Sequence, residues 1–378
     1  MSLIRTLLDL VATPLKLRRR KPAQSHPTHT RILVIRRNRM GDMIYTLPLL
    51  HALRRHHPKA HITVACDLLG EPIALACPAV NDVILLQPGW NPWQAAYRNA
   101  SYLQDYDWVI AVKGGFDRRL AVLTRLTNAP VRVGFERHSD RPSAYFTDPV
   151  ALPDKPNEEH QIETLLRLLK PLGLVKTTSH TVDLSLHLPD ASLDYAAQIL
   201  ARPPFDSAPR FLLINLSSTV RLKFREEDFI AVARRLLGAT DFAIGLVCAP
   251  LDRQKTHEIA MCMGSKRIVA IDTPGPLDLA ALLDKAAFLL TPEGGAAHLA
   301  AAVDAPALVL WSEGPFEKWH SRNRHHVYVK AELGGGNIPV ETVWNALQPF
   351  LAQKGGGVDQ PWADAIEQPQ PPSSDLLS

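Results

Sequence analysis

Short unbroken apolar runs alternate along this chain with longer stretches in which apolar residues recur every three or four positions. Runs of four to six apolar residues bounded by turn residues are the pattern of strands buried on both faces, and the longer repeats mark the helices that cover them. In the first half, strands are predicted at 31–37, 61–67, 82–87, 108–113 and 131–135, with helices around 46–56 and 120–126. From 177 to 209 the regularity weakens, and Pro189, Pro203, Pro204 and Pro209 surround one short helical stretch near 191–200. The alternation then restarts, with strands predicted at 211–216, 242–248, 267–271, 288–290 and 307–311 and helices at 228–237, 255–263, 277–285 and 296–303. Alternating strands and helices predict parallel sheets covered on both faces. The expected organisation is a Rossmann-like α/β domain at 31–185, a linker at 186–209 and a second such domain at 210–352, facing each other across a cleft. Residues 1–30 read as an N-terminal arm and 353–378, with three consecutive glycines and a Pro-rich end, as a disordered tail. The string Trp90-Asn91-Pro92-Trp93 interrupts the first half and reads as a loop or lid lining an acceptor groove.

A length of 378 residues is what two domains need, and 46% hydrophobic with 21% charged residues is ordinary for a globular protein. The net charge of +4 is modest but unevenly spread: through His57 there are twelve Lys or Arg against two acids, Asp9 and Asp42. Such an end favours an anionic partner: nucleic acid, membrane surface or phosphorylated glycan. Leu3, Ile4, Leu7, Leu8 and Val11 share one helical face, and five of the six residues from Lys16 to Lys21 are basic. A secretory signal has the opposite order of charge and apolar run. Residues 1–21 therefore suit peripheral membrane contact, with chance periodicity in a loose terminus the competing reading. No apolar run reaches the ~20 residues that cross a bilayer. Cys66, Cys77, Cys248 and Cys262 are scattered without Cys-x-x-Cys spacing, which argues against zinc and disulfides and fits a cytoplasmic protein. The basic cluster lacks interleaved aromatics, so a nucleic-acid partner is not expected.

Three loops carry candidate chemistry. After the first strand, Arg36-Arg37-Asn38-Arg39-Met40-Gly41-Asp42 places one carboxylate among arginines at a strand-to-helix turn. Ligands of open α/β sheets bind where strand ends meet helix starts, although a helix-capping role for Asp42 fits the local grammar equally well. The strand at 211–216 runs into Ser217-Ser218-Thr219, then Arg221 and Lys223, hydroxyls and cations suited to phosphate oxygens or simply to a capped loop. The string Thr291-Pro292-Glu293-Gly294-Gly295-Ala296-Ala297-His298 ends a strand in two glycines and opens an Ala-rich helix. Free N–H groups and the positive end of the helix dipole make this an anion seat, with Glu293 placed for sugar hydroxyls. His298 is either a ligand contact or a helix-packing residue. Asp252, ending another strand, is a candidate for ribose hydroxyls or a helix cap. Neither half has a Gly-x-Gly-x-x-Gly or a Gly-x-x-x-x-Gly-Lys-Ser/Thr loop, which counts against NAD and P-loop chemistry.

In order and spacing, four stretches resemble glycosyltransferase family nine, the ADP-heptose:lipopolysaccharide heptosyltransferases. Residues 31–55 look like the family's opening strand, Met/Ile-Gly-Asp turn and Thr-Leu-Pro-x-Leu helix. Residues 212–229 resemble its hydroxyl, basic and aromatic stretch, 249–252 its Gly/Ala-Pro-x-Glu ribose loop, and 293–302 its Asp-Thr/Ser-Gly-x-x-His-Leu-x-Ala-Ala motif. Departures occur at Glu293 and Gly294, where the family has Asp and Thr or Ser, and near Leu222, where its Lys is replaced by Arg221 or Lys223. The resemblance implies a GT-B architecture and an inverting, metal-independent transfer that needs no cofactor and assigns no Asp-x-Asp pair to a diphosphate. It implies Asp42 as general base. Ser217, Ser218, Thr219, Arg221, Lys223, Asp252, Glu293, Gly294, Gly295 and His298 would hold a nucleotide sugar, ADP-heptose. An anionic glycolipid acceptor in the inner leaflet would meet Arg36, Arg37, Arg39, Lys113, Arg118 and Arg119, placing the enzyme at the inner face of the inner membrane. Two alternatives are a relative using another nucleotide sugar and a non-catalytic binder that kept the fold.

Overall fold

Strands of Ile, Val and Leu with no polar face persist only if both sides are covered, and the protein covers them twice. In a computed structural model, residues 30–37, 39–87, 92–136, 145–174, 182–218, 224–331 and 337–352 are described. They fall into two units that divide between Asp183 and Leu184. The arm at 1–29, the tail at 353–378, Trp90, Asn91, Thr219, Arg221 and Lys223 lie outside the described residues.

The first unit runs β1 (Arg31–Arg36), α1 (Met40–Ile44), α2 (Leu47–His56), β2 (His61–Cys66), α3 (Glu71–Leu75), β3 (Asp82–Leu85), α4 (Pro92–Ala100), β4 (Trp108–Ala111), α5 (Arg118–Leu126), β5 (Val131–Glu136), β6 (Asp148–Ala151) and α6 (Gln161–Leu166). Its six strands are all parallel, in the order β3-β2-β1-β4-β5-β6. The second unit runs α7 (Asp190–Leu200), β7 (Phe211–Asn215), α8 (Glu226–Ala239), β8 (Ala243–Val247), a 3-10 turn (Pro250–Asp252), α9 (Arg253–Cys262), β9 (Ile268–Ala270), α10 (Pro276–Leu283), β10 (Leu289–Pro292), α11 (Gly295–Ala302), β11 (Ala307–Trp311), α12 (Phe316–Trp319), β12 (His326–Lys330) and α13 (Val340–Ala352). Its sheet is also parallel throughout, in the order β12-β11-β10-β7-β8-β9.

Renumbered from the first strand of each unit, both sheets read 3-2-1-4-5-6, the doubly wound order whose ligand crevice opens where the order reverses. The reversal lies between β1 and β4 in the first unit and between β7 and β10 in the second. The central strands β7, β8 and β11 are buried along their whole length, which explains their unbroken apolar runs. Phe224 and Phe229 pack edge to face at 4.8 Å, and Phe288 meets Phe350 at 5.1 Å, closing the core of the second unit under α8 and α13.

The expected linker at 186–209 is mostly structured: α7 joins the second unit, with Ser192 Oγ donating to Asp278 Oδ1 at 2.8 Å and Tyr195 OH donating to the Asp272 carbonyl at 3.0 Å. Pro92 starts helix α4 rather than continuing a loop, because its fixed φ and missing N–H suit a first helical turn. β6 escapes the sequence pattern because it is a four-residue edge strand containing Pro149.

Candidate active site

At the first reversal, β1 does not end in an apolar residue but in Arg36, whose side chain is 2% exposed. A guanidinium at that depth demands partners, and it has three. Nη2 donates to Asp42 Oδ1 at 2.7 Å, Nε to the Asp42 carbonyl at 3.1 Å, and Nη1 to the Val112 carbonyl just beyond β4 at 3.0 Å. Burial lowers the Arg36 pKa and the Asp42 charge opposes that shift. The second oxygen, Oδ2, accepts from the Arg39 amide at 3.4 Å, so Asp42 also helps to cap α1. Thr46 Oγ1 donates to the Asp42 carbonyl at 2.9 Å. The result is a carboxylate side chain 20% exposed, fixed from behind by a buried cation.

Arg36 is therefore not an acceptor contact: it is buried and fully engaged in holding Asp42, a role its position as the last residue of a buried strand signals. The other expected acceptor cations differ among themselves. Arg37 reaches Asp67 at 3.4 Å with its side chain 38% exposed. Arg39 and Arg119 are exposed, and Arg118 is half-buried. Lys113 is committed to Asp117 at 2.6 Å. Asp117 in turn accepts the Arg119 and Leu120 amides and caps α5. Burial would raise the Asp117 pKa, but the Lys113 hydrogen bond, the two amides and the Lys113 charge hold it below the usual range. One Asp-x-Asp string is present, Asp105-Tyr106-Asp107, and it is not placed to hold a diphosphate. It precedes β4, at the end of the strand away from Asp42, where Asp107 accepts the Arg31 amide at 2.8 Å and Arg31 lies over the Tyr106 ring.

The second reversal is organised by neutral groups. Asn215, the last residue of β7, donates from Nδ2 to Thr291 Oγ1 of β10 and to the Ser217 carbonyl, both at 3.0 Å, and accepts the Ser217 amide at 3.2 Å. Neither Asn215 nor Thr291 stood out in the sequence; a polar residue interrupting each buried run was the available signal. Ser217 Oγ donates to Asp252 Oδ2 and accepts the Ala249 amide at 2.8 Å. Asp252 makes no side-chain cap to α9, so the capping reading fails and its carboxylate belongs to the strand-end loops. Ser218 and Asp252 border a pocket of about 330 Å³ with Arg225 and Lys255 on its rim.

Gly294 adopts φ 135°, ψ −155°, and a Cβ there would meet nothing within 4 Å. The glycine is needed for the backbone conformation, and the space above the turn is open. The His298 amide closes the first turn of α11 on the Gly294 carbonyl at 3.2 Å. Burial pushes the His298 imidazole down to about 4, which keeps it neutral. Glu293 is 8% exposed, and its Oε1 accepts the Ser312 and Glu313 amides at 2.8 and 2.9 Å. Burial raises its pKa against the pull of those two amides. One oxygen of Glu293 thus ties the Gly-rich turn to the loop after β11.

Comparison with known proteins gives a consistent picture. The model of glycosyltransferase family 9 (heptosyltransferase) matches residues 100–335. Lipopolysaccharide heptosyltransferase 3 of Escherichia coli is 24% identical over 345 residues, covering 82% of this chain and 96% of that protein. The crystal structure of a glycosyl transferase family 9 protein from Veillonella parvula superposes with a TM-score of 0.73 at 20% identity, covering 86% of this chain and 97% of that one. The E. coli heptosyltransferase WaaC with ADP superposes with a TM-score of 0.66 at 19% identity, covering 85% and 100%.

Proposed function

The chain belongs to glycosyltransferase family 9, the heptosyltransferases, and from that premise we propose that it moves a heptose from ADP-heptose to an anionic lipopolysaccharide-core acceptor with inversion. The observation that carries the proposal is Asp42 held by buried Arg36 at the first reversal point. A fixed guanidinium keeps the carboxylate oriented and costs no reorganisation when charge moves. In the proposed step, Asp42 takes the proton of the acceptor hydroxyl as that oxygen forms a bond to the anomeric carbon. The bond from that carbon to the diphosphate oxygen breaks on the opposite face, and ADP leaves with the electron pair.

On the donor side, the Gly294-Gly295 turn and the start of α11 offer amides and a dipole to the diphosphate, and Asp252, set by Ser217, is assigned to the ribose. The WaaC structure with ADP supports an adenine nucleotide as donor. Thr219, Arg221 and Lys223 remain assigned to the leaving group by their place in the sequence. Metal independence follows from the same assignment, in which fixed donors take up the leaving charge. Arg39, Arg118 and Arg119 are assigned to acceptor phosphates or acidic sugars. No helix among the described residues is long and apolar enough to cross a membrane. We assign membrane contact to residues 1–21 and action at the inner face of the inner membrane, where a lipid-linked acceptor is reached.

A second reading, transfer of another sugar, is favoured by the commitment of Glu293 Oε1 to backbone amides. Calorimetric titration with ADP-heptose, UDP-sugars and GDP-sugars separates the two. Binding of ADP-heptose, displaced by ADP, is the expected result; binding of a UDP- or GDP-sugar in its place rejects the donor assignment.

A further inference from the structure

The side chain of Gln161, the first residue of α6, is 0% exposed, and neither its Nε2 nor its Oε1 has a hydrogen-bond partner among the described residues. A carboxamide can donate twice and accept twice, so every one of those capacities is idle. Leucine would fill nearly the same volume without a polar atom. Buried polar groups left unmade are rare in native proteins and ask for an explanation.

The surroundings supply one. The carboxamide lies against Gly114: a Cβ there would stand 2.5 Å from Oε1 and 2.7 Å from Cδ, with Nε2 as close. Gly114 belongs to the turn between β4 and α5, in which Lys113 pairs with Asp117 at 2.6 Å. The next residue, Gly115, is the opposite case, since a Cβ there would meet nothing within 4 Å. The turn is therefore pressed onto an unsatisfied amide on one side and open on the other. Two residues before Gly114, the Val112 carbonyl accepts from Arg36 Nη1, the guanidinium that holds Asp42. From the other direction, His160, which caps α6, meets Tyr45 just after α1 edge to face at 5.7 Å. Gln161 sits between the two supports of the Asp42 turn.

We propose that Gln161 is a positioning residue for acceptor recognition, whose idle carboxamide hydrogen-bonds the 113–117 backbone once an anionic saccharide draws Lys113 away from Asp117. The inference rests on the assignment of the first unit to the acceptor.

The test compares wild type with Gln161→Leu and Gln161→Met, using a deacylated, phosphorylated lipopolysaccharide core oligosaccharide as the probe. Without the probe, Gln161→Leu is expected to melt about 2–4 °C higher than wild type, because an unsatisfied group is gone. With it, the probe-induced rise in Tm shrinks, and in transfer assays the acceptor KM rises about tenfold, a loss of about 1.4 kcal/mol in acceptor binding, while kcat and donor KM stay within about twofold. An unchanged acceptor KM in both variants overturns the proposal, as does a Tm below wild type in both. A probe that stabilises wild type and both variants equally overturns this proposal alone. A probe that stabilises none of the three removes the acceptor assignment together with it.

Discussion

The two units share one strand order and differ in what they place where it reverses. In the first, a buried guanidinium at the end of a strand meets a largely buried carboxylate on a five-residue helix at 2.7 Å. In the second, Asn215 and Thr291 tie the reversing strands together at 3.0 Å, and the loops beyond them offer a glycine turn with open space above it. A buried ion pair suits a proton that must be taken up; loop amides and hydroxyls beside an open glycine turn suit an anion that must be received and released. The common scaffold supplies the position and the loops supply the chemistry.

The comparison breaks most visibly at Arg36. Arg36→Leu strands Asp42 without its cation, and removing one partner of a buried pair costs about 3–5 kcal/mol. Turnover is expected to fall roughly 100-fold while ADP affinity holds, read by steady-state kinetics beside urea unfolding. An unchanged turnover would show that charge does not organise the first reversal.

Acid should act on the second unit. Burial pushes His326 down to about 3, against the opposing Ala305 carbonyl, and His298 down to about 4, from an ordinary 6.5. The unfolded chain takes up these protons first, so their contribution is complete above pH 6.5 and is lost as pH falls toward 4 and then 3. Each histidine makes stability fall by up to about 1.4 kcal/mol per pH unit in that window. Thermal unfolding between pH 7 and 5 should show it, with His326→Gln flattening the slope.

A smaller effect is expected from Gly294→Ala. At φ 135° a side chain is strained even where space is free, by about 1–3 kcal/mol. Loss of Tm should come with weaker ADP binding by calorimetry, and acceptor affinity should not move. Smallest is Asn215→Ala, which removes the link between β7 and β10 and should cost about 1 kcal/mol, since Thr291 Oγ1 keeps its bond to the Pro292 carbonyl. Chemical denaturation measures it; the smaller the change, the less the second reversal depends on that amide.

Much of this was legible in the chain. Alternating runs located ten of the strands because a parallel sheet buries both faces and leaves no polar register to confuse the pattern. β6 and β12 were missed, one through Pro149 and one because His326 and Lys330 bracket a short edge strand. Asp42, Ser217, Asp252 and Gly294 were visible because strand-end loops concentrate unusual residues. Arg36 was visible but misassigned: charge alone does not say whether an arginine faces solvent or a buried carboxylate. Gln161 carried no signal, since a glutamine opening a helix is unremarked until its burial is known.

The most direct test of the account is Asp42→Asn, assayed for transfer and for ADP-heptose binding on the same preparation. The amide keeps the shape and can still accept from Arg36, but it cannot take the acceptor proton. Donor affinity within about twofold of wild type with turnover reduced by roughly 100- to 10,000-fold is the predicted result. Transfer within a few-fold of wild type would contradict Asp42 as the base.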